Sequence, residues 1–294
     1  MTRPKKRISI VLNGIYIFFI AWLIANDATA APLLWRVDGL RPNYFCGTVH
    51  SSDPRAKTIL PPALSALDRC QSFHPEVELS PELASRMAER MFSTGTPDLE
   101  TRLRAPLWER VRAAGAKLGL PELLLQRLSP GLAALLFAVP PEEADLSATI
   151  DGQLYEHSQA RGLRISALET IDEQLDLFDK LAPAQAQALL AESLDDFEAG
   201  YPQLGRLLDA YASGDERRIA AEVEAEFKDP SVRELAGPLL YRRNEIMAAR
   251  VEPHLKRGGA FVAVGVAHLV GPRSVIALLR AKGFKITRMQ PQAR

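Results

Sequence analysis

Two short stretches of this chain carry a glycine three residues ahead of a histidine, Gly47-Thr48-Val49-His50 and Gly265-Val266-Ala267-His268. With 18 Gly and 5 His in 294 residues, chance would supply fewer than one such pair. Each follows an apolar run of the kind that forms a buried strand. Imidazole changes charge near neutral pH and is also a common metal ligand, so two of them brought together can exchange protons or hold a divalent ion. Acids stand in comparable places. Glu76-Val77-Glu78 closes another strand-like segment, and Glu169 immediately precedes a helix start. Glu76 and Glu78 are two residues apart, which on a regular strand puts them on one face.

Chemistry of this kind needs a frame that delivers residues 50, 76, 169 and 268 to one place. Strands are predicted over 33–37, 44–46, 73–79, 163–168, 261–264 and 284–289, the first two as a hairpin. Helices are predicted after Pro61-Pro62, across 150–160, and after Thr170-Ile171-Asp172-Glu173, which has the S/T-x-x-E form of a capping box. Residues 82–146 and 182–256 read as amphipathic helices broken at Pro and Gly. The expected fold is α/β: one domain over 31–294, a small mixed or parallel sheet with large helical insertions. Ligand sites of open α/β sheets lie beyond the carboxyl ends of the strands. His50, Glu76, Glu78, Glu169 and His268 would then line one crevice, with Gly47 and Gly265 letting the backbone turn as it leaves the sheet. His74, His157 and His254 lack such partners in sequence and read as structural.

Lys+Arg and Asp+Glu number 36 each, for a formal net charge of zero, and 47% of residues are hydrophobic. That balance fits a folded domain and excludes disorder, and it lacks the basic excess that nucleic-acid binding needs. The balance is not uniform along the chain. Residues 1–7 hold four bases and no acid, residues 8–25 are apolar almost throughout, and Ala28-Thr29-Ala30 has the small-x-small form of a cleavage site. This order reads as a signal peptide over 1–30, and the apolar run is also long enough for an uncleaved anchor. Either way the remainder is expected to be exported, to the periplasm or outside, with membrane contact only through the leader. Without residues 1–30 the chain has 32 bases and 35 acids. Cys46 and Cys70 are the two cysteines; export permits a disulfide between them, and two buried thiols are the alternative. The chain contains no C-x-x-C, no phosphate-binding G-x-x-x-x-G-K-[ST], no G-x-G-x-x-G and no G-x-S-x-G nucleophile elbow.

Taken together, these segments resemble the TraB/GumN family, which is related to the Tiki metalloproteases and more distantly to erythromycin-esterase-like proteins. LLWRVDGLRPNYFCGTVHSSDPR is similar to the family's opening signature, and HPEVELSPE stands in the place of its acidic segment. ISALETIDEQLDLFDKL, Tyr241-Arg242-Arg243-Asn244 and FVAVGVAHLVGPRSVIALLRAKGFKI follow in the family's order. The resemblance implies that His50 and His268 are the paired histidines, that Glu76 is the acidic position with Glu78 beside it, and that Arg243 and Asn244 form the Arg-Asn motif. Ala267 stands where many relatives have Gly, and Arg242 where many have an acid.

The resemblance implies a metal-dependent, peptidase-like hydrolase. His50, His268 and Glu76 would hold Zn, Mn or Co, a second carboxylate would serve as base, and Arg243 would steady an anion. The substrate would be a peptide or another small envelope compound. Two alternatives stand beside it: metal-free hydrolysis with a histidine as general base, and a non-catalytic envelope protein that binds or regulates through the same crevice.

Overall fold

The computed structural model describes residues 33–80, 82–91, 98–143 and 145–290. The leader, residues 1–30, lies outside them. Six strands form one sheet: β1 (Leu34–Val37), β2 (Asn43–Thr48), β3 (Ser72–Pro75), β4 (Arg164–Ile165), β5 (Ala260–Gly265) and β6 (Ile286–Arg288). Their order across the sheet is β4-β3-β5-β2-β1-β6. β2, β5, β3 and β4 are mutually parallel, while β1 runs antiparallel to both β2 and β6. The expected small mixed sheet with helical insertions is therefore the architecture found.

The helices that bear on the site are α1 (Leu60–Leu67), α2 (Ala105–Lys117), α3 (Pro130–Phe137), α4 (Ile150–Ala160), α5 (Ile171–Asp179), α6 (Pro183–Glu198), α7 (Pro202–Ser213), α8 (Arg242–Arg257) and α9 (Val275–Ala281). Local chemistry explains several starts. Thr149 caps α4 through the Gly152 amide, Ser274 caps α9 through Ala277, and Thr170 with Glu173 closes both bonds of the capping box on α5. α8 is entered from a π-helical turn over Gly237–Tyr241, a feature that re-aims side chains and recurs at functional sites.

Two apolar cores support this frame. The sheet core joins Trp35, Phe45, Phe73 and Phe261, each with no accessible surface, to the faces of α1, α4, α8 and α9. Fully burying one such side chain contributes on the order of 1.5–3 kcal/mol, so the strands form a stiff platform. A second core lies within the helical block, where Trp108, Phe137, Leu175 and Leu190 pack α2, α3, α5 and α6 together. α5 belongs to both regions, since Leu175 packs into the block and the neighbouring Gln174 reaches the site. Among the described residues no helix is long and apolar enough to cross a membrane.

Two expectations change, and for the cysteines the buried-thiol alternative is the one found. The strand expected over 73–79 stops at Pro75, which has no N–H to continue the ladder. Glu76 and Glu78 thus lie beyond the strand and do not share a face of it. The strand expected over 163–168 is regular only over Arg164–Ile165. Beyond that the chain stays beside β3 through Ser166 N to Phe73 O (3.1 Å), Leu168 N to Pro75 O (2.9 Å) and Glu169 N to Glu76 O (2.9 Å). Cys46 and Cys70 are free and buried, not bridged. Each thiol faces its own local carbonyl, Cys46 that of Gly47 in β2 and Cys70 that of Ala66 in the preceding turn.

Candidate active site

The carboxyl ends of β2, β3 and β5 all point one way, with β5 in the middle. β2 runs on to His50, β3 to Glu76, and β5 to His268, so parallel pairing by itself brings these three residues to one crevice. Gly265 marks their meeting point. The position of a Cβ on it would lie 3.5 Å from Glu76 Oε2, 3.7 Å from His268 Cδ2 and 3.9 Å from His50 Nε2. Its backbone amide donates to Glu76 Oε2 at 3.0 Å.

Glu76 is 8% exposed and Glu169 6% exposed, and Arg243 lies between them. The guanidinium donates from Nε to both Glu169 oxygens (3.1 and 3.2 Å) and from Nη2 to Glu169 Oε2 (2.7 Å), while a further Nη2 contact binds Glu76 Oε1. Gln174 Nε2 bridges the same two carboxylates at 2.8 and 3.1 Å. The trio is closed on itself, as buried charges must be.

His268 is 5% exposed. Its Nδ1 faces Asn244 Oδ1 at 2.6 Å, and Asn244 Nδ2 donates to the Arg273 carbonyl at 2.9 Å. The Arg273 carbonyl can accept only from the amide NH2, which leaves Oδ1 toward the ring, so Nδ1 carries the proton. The Nε2 lone pair of neutral His268 then looks toward Glu76 Oε2, 3.9 Å away. His50 is built alike from different parts. Its Nδ1 donates to Asp151 Oδ2 at 2.9 Å, and Thr48 Oγ1 donates to Asp151 Oδ1 at 2.8 Å. Its side chain keeps 56% of its surface exposed.

The two imidazoles differ in charge preference. The Asp151 carboxylate raises His50 to about 9, against an opposing effect of desolvation. Burial lowers His268 to about 4, an effect that the Glu76 charge only partly offsets. Burial alone would raise the Glu76 carboxyl. The positive charges of Arg243 and His50 and the Gly265 amide, joined by His268 only when that ring is protonated, outweigh this and hold it below the ordinary carboxylate range.

Among the described residues no three or more His, Cys, Asp or Glu side chains are grouped so as to hold a metal ion. The donor types, two imidazoles and a carboxylate, are nevertheless ones that divalent ions take. Both Nδ1 atoms are tied to fixed acceptors, the arrangement that orients metal-binding histidines. Two ligands each about 2.1 Å from an ion stand no more than about 4.2 Å apart, and His268 Nε2 and Glu76 Oε2 fall within that span. Glu76 would offer Oε2 alone, since Arg243 and Gln174 already engage Oε1.

Of the residues singled out from sequence, His50, Glu76, Glu169, Arg243, Asn244, Gly265 and His268 come together here. Glu78 does not: it is exposed, beyond the end of β3, and the nearby Tyr155 hydroxyl is raised above its ordinary pKa by burial and then by the Glu78 carboxylate. Arg243 and Asn244 hold Glu76, Glu169 and His268 in place. The glycines provide room, since neither has positive φ. A Cβ on Gly47 would stand 3.0 Å from Val266 Cγ2, and the Gly47 carbonyl accepts from Tyr211 Oη at 2.6 Å. Arg242 faces away, 72% exposed and paired with Glu245, because the next helical position turns about 100° from Arg243. Ala267 lines the cleft beside His268. His74 is held between Ser166 O and Ser72 Oγ, both at 2.9 Å, and stacks on His254 at 4.0 Å, while His157 pairs with Asp68.

Asp151 and Gln174 were not singled out. Asp151 sits in the first turn of α4, where an acid has an ordinary role toward the helix dipole. Nothing local ties it to a histidine 101 positions earlier. Gln174 lies inside the capped segment 170–179, but its reach across to Glu76 depends on how α5 docks.

No curated protein and no solved structure gives a significant match to the chain. The model of the TraB/PrgY/gumN family matches residues 33–288, from the start of the sheet to the end of β6. That span contains every residue of the crevice, and the chain belongs to the TraB/PrgY/gumN family.

Proposed function

We propose that this chain is an exported, peptidase-like hydrolase that activates water between His50, His268 and Glu76. The observation that supports it is the matched pair of imidazoles. Each is anchored through Nδ1, to Asp151 or to Asn244, and each brings the far edge of its ring, His50 Nε2 and His268 Cδ2, to the same glycine, Gly265. A divalent ion would be held by the two Nε2 atoms with Glu76 Oε2, and when bound it would supply Lewis acidity toward water and a substrate carbonyl.

The chain's own groups do the rest. Asn244 holds His268 in the tautomer that leaves Nε2 free, and Asp151 fixes Nδ1 of His50, whose Nε2 becomes free when the ring gives up its second proton. Arg243, with Gln174, keeps Glu76 ionised and its Oε2 turned to the Gly265 amide. The exposed flank of His50 gives a substrate access, while the buried His268 closes the floor of the crevice. The leader would place this chemistry in the periplasm or outside the cell.

The test joins elemental analysis of purified protein to peptide hydrolysis with added Mn, Co or Zn. The expected result is metal retained by wild type, lost in the double variant His50→Ala, His268→Ala, with hydrolysis lost in parallel. Protein that retains no metal and cleaves no peptide with Mn or Co added would overturn the reading. The opposed pKa values of the imidazoles favour a second one, in which His50 donates and His268 accepts a proton without metal. Hydrolysis that survives chelation but not His50→Ala would select it.

A further inference from the structure

A cleft of about 400 Å³ opens outward from Arg243, Ala267 and His268 between α6, α7 and the turn that precedes α8. Its walls are of two kinds. Leu204, Leu207, Phe227 and Leu240 supply an apolar passage, and Glu192, Asp196 and Glu226 supply carboxylates. Asp196 accepts the Gln203 amide at 3.1 Å. The Glu192 and Glu226 carboxylates form neither a hydrogen bond nor an ion pair among the described residues. The cleft does not rest on these acids alone. His268, 5% exposed, also lines it, and its Nε2 makes no hydrogen bond among the described residues, with Glu76 Oε2 standing 3.9 Å away.

We propose that this cleft is a specificity pocket for a lysine or arginine side chain of a peptide substrate, with Glu192 and Glu226 receiving the cation. The proposal rests on the peptidase-like reading above. A long basic side chain has the matching make-up, an apolar stem ending in a charge. With its backbone at the His268 end, its stem would cover the leucines and its head would reach the acids. The acids as they stand are uncompensated. The protein packed around them and their acidic neighbours push Glu192 and Glu226 up to about 7, and an arriving cation would relieve that repulsion. Arg243 cannot neutralise them, because Glu76 and Glu169 already engage it. Glu192 and Glu226 would be positioning and specificity residues, remote from the reacting bond.

The experiment measures binding, so it does not depend on turnover. Fluorescent, end-blocked hexa-alanine peptides carrying one central Lys, Nle or Glu are titrated by anisotropy against wild type, against His50→Ala, and against the double variant Glu192→Gln, Glu226→Gln. The Lys peptide should bind wild type about ten-fold more tightly than the Nle peptide, equivalent to one partly shielded ion pair. That preference should persist in His50→Ala and vanish in the double variant, which keeps its Nle affinity and its melting temperature. It should also weaken as salt is raised. Equal binding of Lys and Nle peptides, a preference that the double variant retains, or no binding of any peptide would each overturn the proposal. A Lys preference without any hydrolysis would leave the pocket standing and remove the catalytic reading alone.

Discussion

His50 and His268 reach the same crevice from neighbouring parallel strands with the same spacing from glycine, yet they stand in opposite surroundings. His268 is enclosed, its ring fixed by an amide, beside a buried trio of Glu76, Arg243 and Glu169. His50 is more than half exposed and is fixed by a carboxylate, Asp151. Burial favours the neutral ring in the first, and a negative partner favours the charged ring in the second. One motif thus yields two chemically distinct imidazoles, because what fixes Nδ1 differs. If the ends of the crevice differ in this way, substitutions on the enclosed side should cost stability, while those on the open side should change titration and little else.

The largest expected effect is at Arg243. Arg243→Ala leaves two adjacent buried carboxylates without their cation, and breaking such a group costs on the order of 3–5 kcal/mol. Urea unfolding should show it, and a loss below 1 kcal/mol would mean that water reaches the trio freely. Asn244→Ala comes next. It strands the His268 N–H in a buried site at a cost of about 1–3 kcal/mol, and it should disorder the ring, visible as a broadened His268 signal in NMR. Asp151→Asn, on the open side, removes a pair whose acid is only 14% exposed and should cost about 1 kcal/mol near pH 9, and more as pH falls toward 6.5. The same change should bring the His50 titration down from about 9 toward its ordinary value near 6.5. An equal stability loss at Asn244 and Asp151 would erase the contrast. Arg242→Ala should be the smallest, within about 0.5 kcal/mol and without effect on either histidine.

The pH dependence sharpens the same contrast, with opposite signs at the two rings. His50 has a raised folded value, so its stabilising contribution is complete below about 6.5 and is lost as pH rises through about 9. His268 has a lowered one, so its contribution is complete above about 6.5 and is lost as pH falls through about 4. Chemical unfolding across pH 4–9 should therefore lose the basic-side slope in Asp151→Asn and keep the acidic-side one.

Much of this was legible before any coordinates. The alternation of apolar runs with Pro- and Gly-marked breaks specifies strands and helix starts, because burial and backbone restriction act locally on those residues. β2, β5, α4 and the capping box on α5 are all recoverable that way. The convergence of His50, Glu76, Glu169 and His268 follows from a topological rule, that parallel strands in one sheet end on one side. The placement of Glu78 on one strand face with Glu76 fails because the strand ends at Pro75. That Gly47 makes room for Val266 in particular leaves no trace in local sequence.

By itself, then, the sequence determined which residues carry chemistry, which element each follows, and that a short sheet would collect them. Tertiary structure alone decided their states. Asp151 meets His50 only because α4 docks against the end of β2, and Arg243 meets two carboxylates only because α8 crosses the sheet behind them. Charge, tautomer and access depend on partners 24 to 167 positions away, and no local pattern encodes contacts at such range. Chain proximity sets the elements; packing sets the protons.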